Sequence, residues 1–118
     1  MTETREVSFG ATVRQGRERM EIGLREMAKR VGVSPTYLSK VERDELPPPA
    51  EDKVKKIARI LGRDEDELLA LAGRVASDLK DIIRRHPREM ASFLRAANGL
   101  TVEDMARLAR EAEKAGKR

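Results

Sequence analysis

The stretch from Leu24 to Arg43, LREMAKRVGVSPTYLSKVER, places a helix stop and a helix start almost back to back. Met27, Ala28 and Val31 recur at helical spacing, and Gly32 then interrupts where a left-handed backbone is easily reached. Ser34 and Pro35 restart the chain as N-cap and first helical residue. The result is two short helices joined by a tight turn. On the second, Leu38 and Val41 lie three apart and face inward, which leaves Thr36, Tyr37, Ser39, Lys40 and Arg43 for the outer face. Hydroxyls and cations on one exposed helix face suit a groove of double-stranded DNA.

Composition narrows the rest. The chain has 118 residues, of which 39% are hydrophobic, 39% charged and only 3% aromatic. With no long alternating β-branched run, this points to an all-α protein with a modest core. The sequence holds no cysteine, so disulfides and thiolate metal sites are excluded. The N-terminal MTETREVSFG has no apolar signal core, and nowhere do 18 apolar residues run together. Neither export nor membrane spanning is expected, and the reading is cytoplasmic. The net charge of +4 is small beside 25 basic and 21 acidic residues, so DNA binding would need a local patch and placed donors. The positive excess sits in residues 73–118, with 11 basic and 7 acidic side chains, against 9 and 8 in residues 1–50.

In chain order, residues 1–7 read as an arm, and Phe9, Val13 and Met20 predict a first helix from Ser8 to about Glu21. Ile22 reads as an apolar anchor and Gly23 as the N-cap of the helix at Leu24, with Glu26 and Arg25 in its first turn, where free amides can also meet a phosphate. Three prolines after Arg43 impose an extended connection. A fourth helix, about 50–61, buries Val54, Ile57, Ala58 and Leu61 and stops at Gly62. Asp64 and Glu67 have capping-box spacing before a short helix ending near Gly73. Three further helices are predicted: one capped by Ser77, one started by Pro87 and broken at Asn98-Gly99, and one capped by Thr101, with EKAGKR as a frayed tail. Residues 1–73 thus form one domain, with its motif at about 24–43. Residues 74–118 form a second helical region, whose short amphipathic helices must pack on the first or on another copy.

Met27-Ala28, Gly32-Val33-Ser34 and Leu38-Ser39-Lys40-Val41-Glu42-Arg43 together resemble the XRE, or phage Cro/C1-type, helix-turn-helix family, over about Phe9 to Leu71. The resemblance implies a five-helix Cro/C1-type bundle, with the third helix in the major groove and a dimer reading two halves of a palindromic operator as a transcriptional regulator of the repressor kind. It also implies a structural ion pair between Arg17 and Glu42. The sequence departs from the family at Gly16, where leucine is usual, and at Asp44, where glycine is usual; aspartate tolerates the left-handed conformation.

The DNA-binding candidates are therefore Arg14, Arg25, Ser34, Pro35, Thr36, Tyr37, Ser39, Lys40 and Arg43. Thr36, Ser39 and Lys40 suit base edges, Pro35 a thymine methyl, and Tyr37, Arg25, Arg43 and Arg14 the phosphates. His86 is the single histidine and precedes a proline, which reads as a surface residue; no catalytic residue, cofactor or metal site is expected, and the acidic run Asp64–Glu67 reads as a helix start. Met20, Met27, Met90 and Met105 read as core filler. The competing reading is a protein-interaction module: an antitoxin, or a regulator whose C-terminal helices hold a toxin or are cut by a partner metallopeptidase.

Overall fold

A computed structural model describes residues 7–117, which hold eight α-helices and no strand. The first five are α1 (Phe9–Arg19), α2 (Leu24–Val31), α3 (Pro35–Glu42), α4 (Glu51–Leu61) and α5 (Glu65–Leu71). They form one unit that closes at Ser77. Its core takes one stripe from each helix: Phe9 and Val13, Met27, Ala28 and Val31, Leu38 and Val41, Val54, Ile57 and Ala58, Leu68 and Leu69, all buried. Burying each of the larger side chains contributes about 1.5–3 kcal/mol.

The helix ends follow the local chemistry. Ser8, Ser34 and Asp64 accept the amides of Ala11, Tyr37 and Glu67 as N-caps. Gly32 and Gly62 end α2 and α4 at φ +89° and +66°. Asp44 takes the glycine-like role after α3 at φ +59°, as its short polar side chain permits. The first helix is two residues shorter than its apolar pattern implies. Glu21 turns left-handed at φ +57° and the Ile22 amide closes onto the Arg17 carbonyl, which sends Ile22 into the core and leaves Met20 48% exposed. Of the methionines read as core filler, only Met27 is fully buried; Met105 is 47% exposed.

Gly10 and Gly16 mark where α1 is approached by its neighbours. A Cβ on Gly10 would lie 2.7 Å from the Glu42 carbonyl oxygen and closer still to that of Val41. A Cβ on Gly16 would meet Cδ1 of Leu61 at 3.0 Å, so the departure from leucine there leaves room for the last residue of α4.

Past Gly73, at φ +70°, the chain stays on the first unit: Arg74 donates to the Pro48 carbonyl at 3.0 Å and Ala76 is buried. Ser77, expected as an N-cap, is instead the first residue of α6, and its hydroxyl and amide both donate to Glu51 Oε1, at 2.7 and 3.1 Å. The Ser77 hydroxyl, with Lys55 behind it, holds the Glu51 carboxyl below the ordinary carboxylate range. Because the folded value lies below the unfolded one, this contribution is complete above the ordinary carboxylate value and is lost as pH falls through the folded value. Ser77→Ala should move the Glu51 titration back up, read by carboxyl NMR; an unmoved midpoint would show that the hydroxyl does not set it.

The second unit runs from Asp78 and comprises most of α6 (Ser77–Arg85), α7 (Pro87–Ala97) and α8 (Val102–Gly116). Thr101 and Asp104 close a complete capping box at the start of α8. The expected frayed tail is helical to Gly116, since Glu, Lys and Ala are good helix formers and nothing in EKA stops the helix. None of these three helices has a buried residue. Between α7 and α8 lies an open groove of about 520 Å³ lined by Phe93, Leu94, Leu100, Met105, Leu108 and smaller residues. No helix among the described residues is long and apolar enough to cross a membrane.

Candidate nucleic-acid interface

The position of α3 is fixed from its inner side. Leu38 and Val41 are 1% exposed, and Glu42 beside them is an ion-pair partner of Arg17. The guanidinium straddles the carboxylate, Nε to Oε2 at 2.8 Å and an Nη to Oε1 at 2.9 Å, and its other Nη donates to the Ile22 carbonyl at 2.9 Å. Only 14% of the Arg17 side chain and 4% of that of Glu42 are exposed. The hydrogen bond to Glu42, outweighing burial, holds the Arg17 guanidinium above its ordinary value, so it carries its charge at any working pH. One bidentate pair thereby ties α1, the α1–α2 turn and the end of α3 together.

The outer face of α3 is free of the interior. Ser34, Pro35, Thr36, Lys40 and Arg43 are exposed, and Ser39 is half-buried. Ser34 already accepts the Tyr37 amide at 3.0 Å, which leaves its hydroxyl proton to donate elsewhere. Tyr37 departs from the expected outer face: it is half-buried against the core, because the position one turn before Val41 leans toward the same side.

The cations differ in what already holds them. Arg43 pairs with Glu45 at 2.9 Å, and Arg14 with Glu18 at 3.2 Å. Arg25, in the first turn of α2, and Lys40 have no ion pair among the described residues. Gly23 caps α2 without a side-chain hydrogen bond, so the first-turn amides beside Arg25 meet no capping oxygen. Arg14, Ser39 and Arg43 line one shallow cleft of about 200 Å³ with Leu24 and the Arg17–Glu42 pair. Arg25, Thr36 and Lys40 are not part of that cleft. No group of three or more histidine, aspartate or glutamate side chains among the described residues is arranged to hold a metal ion.

Comparison with known proteins places this geometry. A family described as "Helix-turn-helix domain" matches residues 8–71, more than half of the chain. The chain belongs to the helix-turn-helix family. Within it, the chain is of the XRE, or Cro/C1, type that its motif residues resemble. An uncharacterized HTH-type transcriptional regulator of Mycobacterium tuberculosis, found in two strains, is 39% identical over 64 residues, 54% of this chain and 45% of the relative. The chain thus spans about half the length of the curated relatives it matches. The solution structure of the DNA-binding domain of the P22 C2 repressor is similar at a TM-score of 0.50 and 27% identity, over 56% of this chain and 86% of that one. The Bacillus subtilis master regulator of biofilm formation SinR, solved in complex with DNA, is 30% identical over 52% of this chain and 97% of that one, at a TM-score of 0.47. In this helix-turn-helix protein the family match, residues 8–71, runs through all five helices of the first unit.

Gly10 went unnoticed in the sequence. Helical periodicity describes one helix at a time, and the contact that requires a glycine there comes from the backbone of another.

Proposed function

We propose that this chain is a sequence-specific DNA-binding transcriptional regulator of the repressor kind, acting as a homodimer on a palindromic operator with α3 in the major groove. The observation that carries this reading is the two-sidedness of α3. Its inner face is buried and tied to α1 by the Arg17–Glu42 pair, whereas its outer face presents Pro35, Thr36 and an ion-pair-free Lys40. A rigid helix with an exposed donor ridge is what base-edge readout requires. Arg25 and the uncapped amides of α2 supply a phosphate contact, while Arg14 and Arg43 would exchange their carboxylate partners for phosphates.

The second unit supplies the dimer. Three helices without a buried residue and an apolar groove between α7 and α8 need cover. A second copy running antiparallel sets Glu103 and Asp104 at the start of α8 against Lys114 near its end.

The test begins by selecting duplexes from a random pool with the full chain, then measuring variants on the selected and on random DNA. Lys40→Ala should lose roughly 1–3 kcal/mol on the selected site and little on random DNA. Arg25→Ala should weaken both alike and reduce the salt slope by about one. Two copies should saturate each selected duplex. Equal losses on both DNAs for Lys40→Ala overturn the readout, and a one-to-one complex at saturation overturns the dimer.

A further inference from the structure

We infer that the first unit carries a second binding site, distinct from α2 and α3, for a small amphiphilic carboxylate. The ends of α1, α4 and α5 meet around a cleft of about 350 Å³, within the range of small-molecule sites. No residue of α2 or α3 lines it. Two features of its lining are unusual on a small unit. First, of the five exposed large apolar side chains that the described residues place in this unit, three (Val7, Met20 and Leu71) border this one cleft, together with half-buried Leu61. Exposed apolar residues scattered singly carry no meaning, whereas these three share the wall of one concavity.

Second, the charged residues of the lining are two arginines, Arg19 at the end of α1 and Arg63 just after α4, with no acidic residue among them. Neither side chain has an ion pair or a hydrogen bond to another described residue, unlike Arg14, Arg17, Arg43 and Arg59. Gln15 and Thr12 complete the polar part. Guanidinium groups are matched in geometry to a carboxylate, and an alkyl segment joined to that carboxylate would cover the apolar wall. A cationic or purely apolar ligand would satisfy only half of the lining. Gly16 contributes by what it lacks: a side chain there would press on Leu61 at the floor of the cleft.

Sodium octanoate is the probe, titrated into the full chain without DNA and followed by calorimetry and by amide NMR shifts, with octylamine as the charge-reversed control. Saturable octanoate binding is expected to shift the amides of Gly16, Leu61 and Leu71, with octylamine roughly tenfold weaker or worse. Arg19→Gln with Arg63→Gln should weaken octanoate by a similar factor of roughly ten. Should the double variant not fold, Arg63→Gln alone serves, since Arg63 is exposed and outside the helices. Equal affinity for the two head groups, undiminished binding by the arginine variants, or no saturable shift at these amides overturns the site. Because no DNA is present, none of these outcomes bears on the reading of α3.

Discussion

Arg17→Ala is expected to destabilise the first unit by about 3–5 kcal/mol, the cost of leaving a buried charge without its partner. Glu42 is 4% exposed in its side chain, and its two oxygens take their hydrogen bonds from this one guanidinium. The Ile22 carbonyl would lose its Arg17 donor as well. Against a total stability of about 5–15 kcal/mol for a domain of ordinary size, such a loss leaves little. Urea unfolding followed by circular dichroism reads it as a lower midpoint at unchanged slope. The pair itself is a different matter, since attraction between buried charges is largely offset by the water they give up. Arg17→Met combined with Glu42→Leu should therefore recover most of the stability while loosening the angle at which α3 leaves the unit. A loss below about 1 kcal/mol for Arg17→Ala, the scale of an exposed pair, would show that the pair is solvated in solution.

That pair was legible in the sequence only through a family resemblance. Periodicity assigns Arg17 to a helix and Glu42 to the end of another, and nothing local says that residues 25 apart share a hydrogen-bonded fork. The helix starts and stops were legible for the opposite reason. A serine before a proline, a glycine after an apolar turn and an aspartate three residues before a glutamate each act on backbone groups within one turn, and Ser34, Gly32 and Asp64 do so here. Local signals also misled where a neighbour intervened. Ser77 has the look of an N-cap, but Glu51 lies close enough to take its hydroxyl and amide, so it became the first residue of α6. The inward spacing of Leu38 and Val41 leaves Tyr37 for the outer face, yet most of a tyrosine is apolar surface and it packs half-buried against the core. The outer ridge of α3 was readable as a set of residue types. Which of the candidate cations are already engaged was not, because Glu18 and Glu45 compete for Arg14 and Arg43 through side-chain placement alone.

The contrast between two glycines of α1 tests the packing that holds α3 in place. Gly10→Ala and Gly16→Ala are the same chemical change in the same helix, and propensity alone would have each stabilise by up to about 1 kcal/mol. Their surroundings separate them. At Gly16 the obstacle is the far end of the Leu61 side chain at 3.0 Å, which can change rotamer, so the substitution should come out within about 0.5 kcal/mol of neutral. At Gly10 the obstacles are the Val41 and Glu42 carbonyl oxygens, fixed in the last turn of α3. Carbonyls held there cannot rotate aside, so α1 and α3 must separate, and Gly10→Ala should destabilise by about 2–3 kcal/mol in spite of its better helix propensity. Urea unfolding of the two variants side by side gives the comparison. Separation of α1 from α3 would also tilt the exposed ridge, so a Gly10→Ala chain kept below its unfolding midpoint should lose more affinity on a selected duplex than on random DNA. An increase in stability at Gly10 would mean that the two helices do not approach this closely, and the fixed seating of α3 on which base readout depends would go with it.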